Sequence, residues 1–207
     1  YFVYDALLNR RDREVRDTDA AIPALSPEEV AAALADGAII HDSRDNAEFA
    51  TGFLRGSINV PADGRMAETV GMVLQPEDAV ILVAPEGAEQ DVAVRFARIG
   101  FDNVIGYIPS PEAYFIDHPD QVVRASRLTV QQADQALAEA GVQIVDVRNA
   151  GEVAAGMIPG AAHIPLAELA RRSQELEDDR PVVVYCAGGW RSSVAAVLLR
   201  QRGFTDV

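Results

Sequence analysis

The chain has 207 residues, 49% of them hydrophobic and 24% charged, with a formal net charge of −14. That length suits one large domain or two compact ones, and the acidity argues against nucleic acid or an anionic membrane surface, both of which select clustered Lys and Arg. No apolar run approaches the roughly 20 residues that span a bilayer, and the one cysteine cannot form an internal disulfide, which favours a reducing, cytoplasmic setting.

Residues 1–21 include the charge-dense stretch NRRDREVRDTD and read as a connector from a preceding domain. A helix start follows: Ser26 is an N-cap, Pro27 occupies the first helical position and Glu29 completes a capping box. Gly37 closes this helix, and AIIHDSRDNAEFATGFLRGSINVP runs from 38 to 61. Next come the apolar run AVILVA (79–84) and a helix ending at Gly100-Phe101. The order then repeats. Thr129 and Gln132 form a second capping box, Gly141 a second stop, and residues 142–165 read VQIVDVRNAGEVAAGMIPGAAHIP. Asp42 falls on Asp146, Arg44 on Arg148, Glu48 on Glu152, Gly52 on Gly156 and Pro61 on Pro165. The run PVVVYC (181–186) and a helix ending in Gly203-Phe204 complete the second copy. Short apolar runs alternating with helices predict buried parallel strands. The expectation is two small α/β domains, 22–123 and 124–207, each a mostly parallel sheet flanked by helices.

Chemistry concentrates where PVVVYC leaves its strand. Cys186-Ala187-Gly188-Gly189-Trp190-Arg191 turns from a strand into a helix, and such a turn aims backbone N–H groups and a helix dipole at one point. Gly188 and Gly189 let the backbone curl around the sulfur, and Arg191 brings a permanent cation. Together they favour the thiolate, the nucleophilic form. The amides of residues 187–191 are expected to bind an anion, with Arg191 holding a charged donor. Trp190 lines an entrance or caps the core. Asp146 and Arg148 are expected to act structurally, with Arg148 pairing with Glu152 four residues on. His163 reads as a satisfied core histidine.

These residues resemble the rhodanese family: Asp146-Val147-Arg148 with Glu152, the stretch from Gly156 to Ala161, and the C-x-x-G-x-R loop from Cys186 to Arg191. Val153 and Met157 stand where that family often has an aromatic residue and a histidine. The resemblance implies a sulfurtransferase carrying sulfane sulfur as a persulfide on Cys186, with a small sulfur-containing donor, a thiol or cyanide acceptor, and no cofactor or metal. Four residues separate Cys186 from Arg191, whereas cysteine phosphatases have a longer loop; a phosphatase or arsenate reductase and a non-catalytic interaction or regulatory module are the rivals. In the first copy Ala84 stands in place of the nucleophile and Glu89 in place of the arginine, so that copy is expected to be silent. Tyr1–Asp5 and Asn9-Arg10-Arg11 are similar to the join where metallo-β-lactamase-fold sulfur enzymes run into rhodanese domains, which implies a metal-binding domain before this chain.

Overall fold

A computed structural model describes residues 21–62 and 66–207. The connector read over 1–21, and the join it resembles, lie outside these residues save for Ala21. The chain divides into two compact units, Tyr1–Val123 and Arg124–Val207. Among the described residues no helix is long and apolar enough to cross a membrane.

The first unit opens with α1 (Pro27–Ala35). Ser26 and Glu29 satisfy each other's backbone amides, a reciprocal cap that starts the helix where the sequence places it. There follow β1 (Ile39–Asp42), α2 (Asn46–Thr51), β2 (Phe53–Leu54), β3 (Ile58–Asn59), α3 (Met66–Val73), β4 (Val80–Val83), α4 (Glu89–Arg98), β5 (Val104–Tyr107), α5 (Pro111–Asp117) and β6 (Val122–Val123). A four-stranded sheet has the order β3-β1-β4-β5 with every pair parallel, and β2 pairs antiparallel with β6. All of β4 is buried, which is why it reads as an unbroken apolar run and does not alternate. Val30, Ile40, Leu54, Ile81, Val83, Ile108 and Tyr114 form the core beneath it. Full burial of an aliphatic side chain of this kind contributes about 1.5–3 kcal/mol.

The second unit repeats the plan with fewer strands. Its elements are α6 (Val130–Leu137), β7 (Gln143–Asp146), α7 (Ala150–Val153), β8 (Ala162–His163), α8 (Leu166–Arg172) with a 3₁₀ turn over Ser173–Glu175, β9 (Val182–Tyr185) and α9 (Trp190–Gln201). The sheet is parallel in the order β8-β7-β9. Thr129 and Gln132 cap α6 reciprocally. Gly141 takes a left-handed φ of 97°, but α6 ends at Leu137 with Ala138 as its C-cap. Gly141 therefore reverses the chain one turn later and does not close the helix itself. The core joins Val145 and Val147 to Ile164, Leu169, Val194 and Leu199, all wholly buried. These contacts fix α9 against the sheet and so set the position of the loop that precedes it.

Candidate active site

Two carboxylate–arginine pairs frame the strand ends. Just past β7, the Arg148 Nε–H donates to both Asp146 oxygens at 3.0 Å, its NH2 donates to Oδ2 at 2.6 Å, and the same NH2 reaches the Gly156 carbonyl at 2.8 Å. The first unit repeats this nearly atom for atom. Arg44 binds Asp42 at 3.0, 3.2 and 2.6 Å and the Gly52 carbonyl at 2.9 Å. Two residues of separation and a bidentate fork make each arginine a clasp between a strand end and the turn after the following helix. Burial pushes the Asp146 carboxyl up, and the donors from Arg148 and Tyr185 outweigh it, leaving the group below its usual range. The His163 Nε2–H donates to the Arg148 carbonyl at 2.9 Å, a structural contact in the same clasp.

Arg148 does not take the partner expected of it. Glu152 turns away from Arg148 to a residue 39 positions on: Arg191 donates to it through NH1 at 2.5 Å and NH2 at 2.8 Å. The reason is geometric. α9 brings the Arg191 guanidinium to the other side of Glu152, where it engages both carboxylate oxygens. In the first unit α4 offers Glu89 at that place, and there Arg44 does reach Glu48, at 3.5 Å. The Arg191 fork holds the Glu152 carboxyl at about 2, and the same hydrogen bonds raise the arginine's own value against the effect of burial.

Cys186 is half-buried at the C-terminal end of β9, the place where parallel sheets put their sites. Ala187 and Gly188 form the exposed outer arc of the loop. Gly189 is the N-cap of α9 with a φ of 88°, a left-handed conformation that a residue with a Cβ adopts only under strain. That conformation turns the Gly189 N–H onto Sγ, which it meets at 3.1 Å. Sγ also lies 3.6 Å from the Ser192 hydroxyl, which donates to the Gly189 carbonyl at 2.9 Å. Of the amides expected to face the sulfur, that of Gly189 thus reaches it directly.

Trp190 opens α9 with its ring edge 3.6 Å from the Cβ position of Gly188, and the Arg191 guanidinium sits 5.1 Å from the ring centroid. It covers both the loop and the arginine. Arg191 is buried, with its fork committed to Glu152; among the described residues its Nε–H has no acceptor, and this leaves one donor uncommitted inside the site. The loop therefore gathers Cys186, Ala187, Gly188, Gly189, Trp190, Arg191 and Glu152, while Asp146 and Arg148 stand behind as its brace. Ser192 was not singled out by the sequence; its signal is a hydroxyl one residue past the arginine, on the first turn of a helix. In the first unit the corresponding Ala84 is 2% exposed and carries no thiol.

The sequence model of the rhodanese-like domain matches residues 26–110 and 129–207. A sulfurtransferase from Allochromatium vinosum is 42% identical over 32% of this chain and 62% of its own length. The thiosulfate sulfurtransferase GlpE of Pseudomonas fluorescens is 41% identical over 35% of this chain and 67% of its own length. The HTH-type transcriptional regulator Rv0324 of Mycobacterium tuberculosis is 39% identical over 50% of this chain and 44% of its own length. The chain spans about half the length of the first curated relatives it matches.

Proposed function

The chain belongs to the family of rhodanese-like domains, which it carries twice, and from that membership we propose that its second unit is a sulfurtransferase with Cys186 as the sulfur carrier. The observation that carries this reading is the Gly189 amide donating to the sole thiol at 3.1 Å, at a strand-to-helix turn suited to an anion. The same donor serves the thiolate and, after one more sulfur is added, the persulfide.

The chemistry runs in two displacements. The Cys186 thiolate attacks the outer sulfur of thiosulfate or of a small persulfide. A new Sγ–S bond forms as the donor's S–S bond breaks, and sulfite or a thiolate leaves with the electron pair. A thiol or cyanide then attacks the terminal sulfur, the Sγ–S bond breaks, and its electrons return to Sγ as thiolate. No net oxidation occurs and no cofactor is needed. Glu152 keeps Arg191 in place beside the loop, and Asp146 with Arg148 clasps the end of β7, the strand that pairs with the one presenting Cys186. The first unit, with Ala84 and Glu89 at the two decisive positions, is a silent copy of the same fold. GlpE and the Allochromatium relative bear sulfurtransferase names, which favours catalysis over a purely regulatory role for the second unit.

The test is intact-protein mass spectrometry after incubation with thiosulfate, paired with a cyanide-to-thiocyanate assay. One added sulfur on Cys186, lost together with thiocyanate formation in Cys186→Ser, is the expected result. Turnover that survives in Cys186→Ser would overturn the assignment.

A further inference from the structure

The charge that meets an anionic donor at this loop remains to be found. Arg191 is bound by both arms to Glu152, and Arg148 to Asp146, so each pair is neutral as a unit. The chain as a whole carries −14 and repels a dianion at long range. One further guanidinium reaches the loop. The NH2 of Arg127 stands 3.0 Å from where a Cβ of Gly189 would lie. Arg127 belongs to the exposed approach to α6, and among the described residues no carboxylate pairs with it. The Gly189 N–H bonds Sγ at 3.1 Å, so covalent lengths keep the Arg127 NH2 within about 9 Å of the sulfur. Within that bound, a donor whose outer sulfur meets Sγ can turn its oxyanion end to the guanidinium.

Resting on the sulfurtransferase reading above, we propose that Arg127 is the donor-binding cation of this site: it takes the sulfonate end of thiosulfate, and it selects dianionic over less charged donors. Gly189 serves this arrangement in a second way, because a Cβ there would lie 3.0 Å from the Arg127 NH2 and crowd it. Arg191 then has a different task, holding the loop through Glu152 and offering its uncommitted Nε–H from within. The division of labour explains why the buried arginine can be neutralised without the site losing its pull on an anion.

The test uses the full chain carrying Cys186→Ser, in which no sulfur can move. It is titrated with sodium thiosulfate and followed by the fluorescence of Trp190, the one tryptophan. Adding Arg127→Gln should weaken thiosulfate binding about tenfold, the loss of one charge-assisted contact, and Arg127→Lys should recover most of it. Added salt should weaken the parent more than the Gln variant. Iodide quenching of Trp190 should fall in Arg127→Gln while quenching by neutral acrylamide stays the same. With Cys186 intact, kcat/KM should drop more for thiosulfate than for the monoanion benzenethiosulfonate. A parent without a saturable response, or an Arg127→Gln variant with the parent's affinity and iodide quenching, overturns the proposal. Should Arg127 govern the titration while wild-type protein takes sulfur from neither donor, the anion site stands and the sulfurtransferase reading falls.

Discussion

Replacing Glu152 by Gln keeps the shape of the side chain and removes the charge that balances Arg191. The two partners are unequally placed: the Arg191 side chain is 6% exposed and that of Glu152 is 34% exposed. Breaking a fully buried pair costs about 3–5 kcal/mol because one charge is left without a partner. Here the stranded group is the buried one, and the partner's partial exposure lowers the expected cost to about 2–3 kcal/mol. Arg191→Met keeps most of the aliphatic volume and strands only a carboxylate that water can reach, so it should cost about 1–2 kcal/mol. The assay is urea denaturation followed by Trp190, which lies in the second unit and reports on it. With a urea slope of about 1 kcal/mol/M for a domain of this size, Glu152→Gln should lower the midpoint by about 2–3 M at pH 7. The acid limb supplies the control. Arg191 holds the Glu152 carboxyl at about 2 in the folded state, against 4.5 ordinarily. The unfolded chain therefore takes up this proton first, and the stability that Glu152 gives is fully present above pH 4.5 and lost as pH falls through 2. The gap between wild type and Glu152→Gln must narrow over that window. A midpoint shift below about 0.5 M, or a gap that persists unchanged at the acid end, would refute the reasoning.

Ala84→Cys alone should form no persulfide in a Cys186→Ser background, because position 84 is 2% exposed and Glu89 stands where the second unit has Arg191. Adding Glu89→Arg gives Glu48 the partner that Glu152 has in the second unit, and mass spectrometry should then detect partial sulfur loading, limited by Pro85. Equal loading in the single and double variants would show that loop charge does not silence the first unit. His41 is fully buried beside Phe96, with ring centroids 4.8 Å apart, and burial pushes its pKa down to about 3. The unfolded chain binds this proton near pH 6.5 and the folded chain refuses it, so the first unit loses up to about 1.4 kcal/mol per pH unit between 6.5 and 3. His41→Val, which places the residue of the equivalent position 145, should flatten that slope in circular-dichroism melts at pH 7, 5 and 4; parallel slopes would count against it.

The repeat, both capping boxes, the parallel strands and the loop from Cys186 to Arg191 were legible in the sequence because each is set by residues close together along the chain. Ser26 and Glu29, or Thr129 and Gln132, need only one turn of helix to meet. Asp146 and Arg148 meet across two residues. The clasp was expected between Arg148 and Glu152 for the same local reason, and there the neighbourhood rule failed. In the first unit Arg44 binds Asp42 and still reaches Glu48; in the second it is the arginine brought by α9 that draws Glu152 away. Glu152 and Arg191 lie 39 positions apart and meet because β7 and β9 run parallel with matched register. Arg127 and Gly189 are farther apart still and come together only through the way the approach to α6 lies over the start of α9. Composition and spacing carry the chemistry of single residues. Which charge is neutralised and which stays free depends on long-range contacts, and those follow from strand order and core packing, which only the folded chain displays.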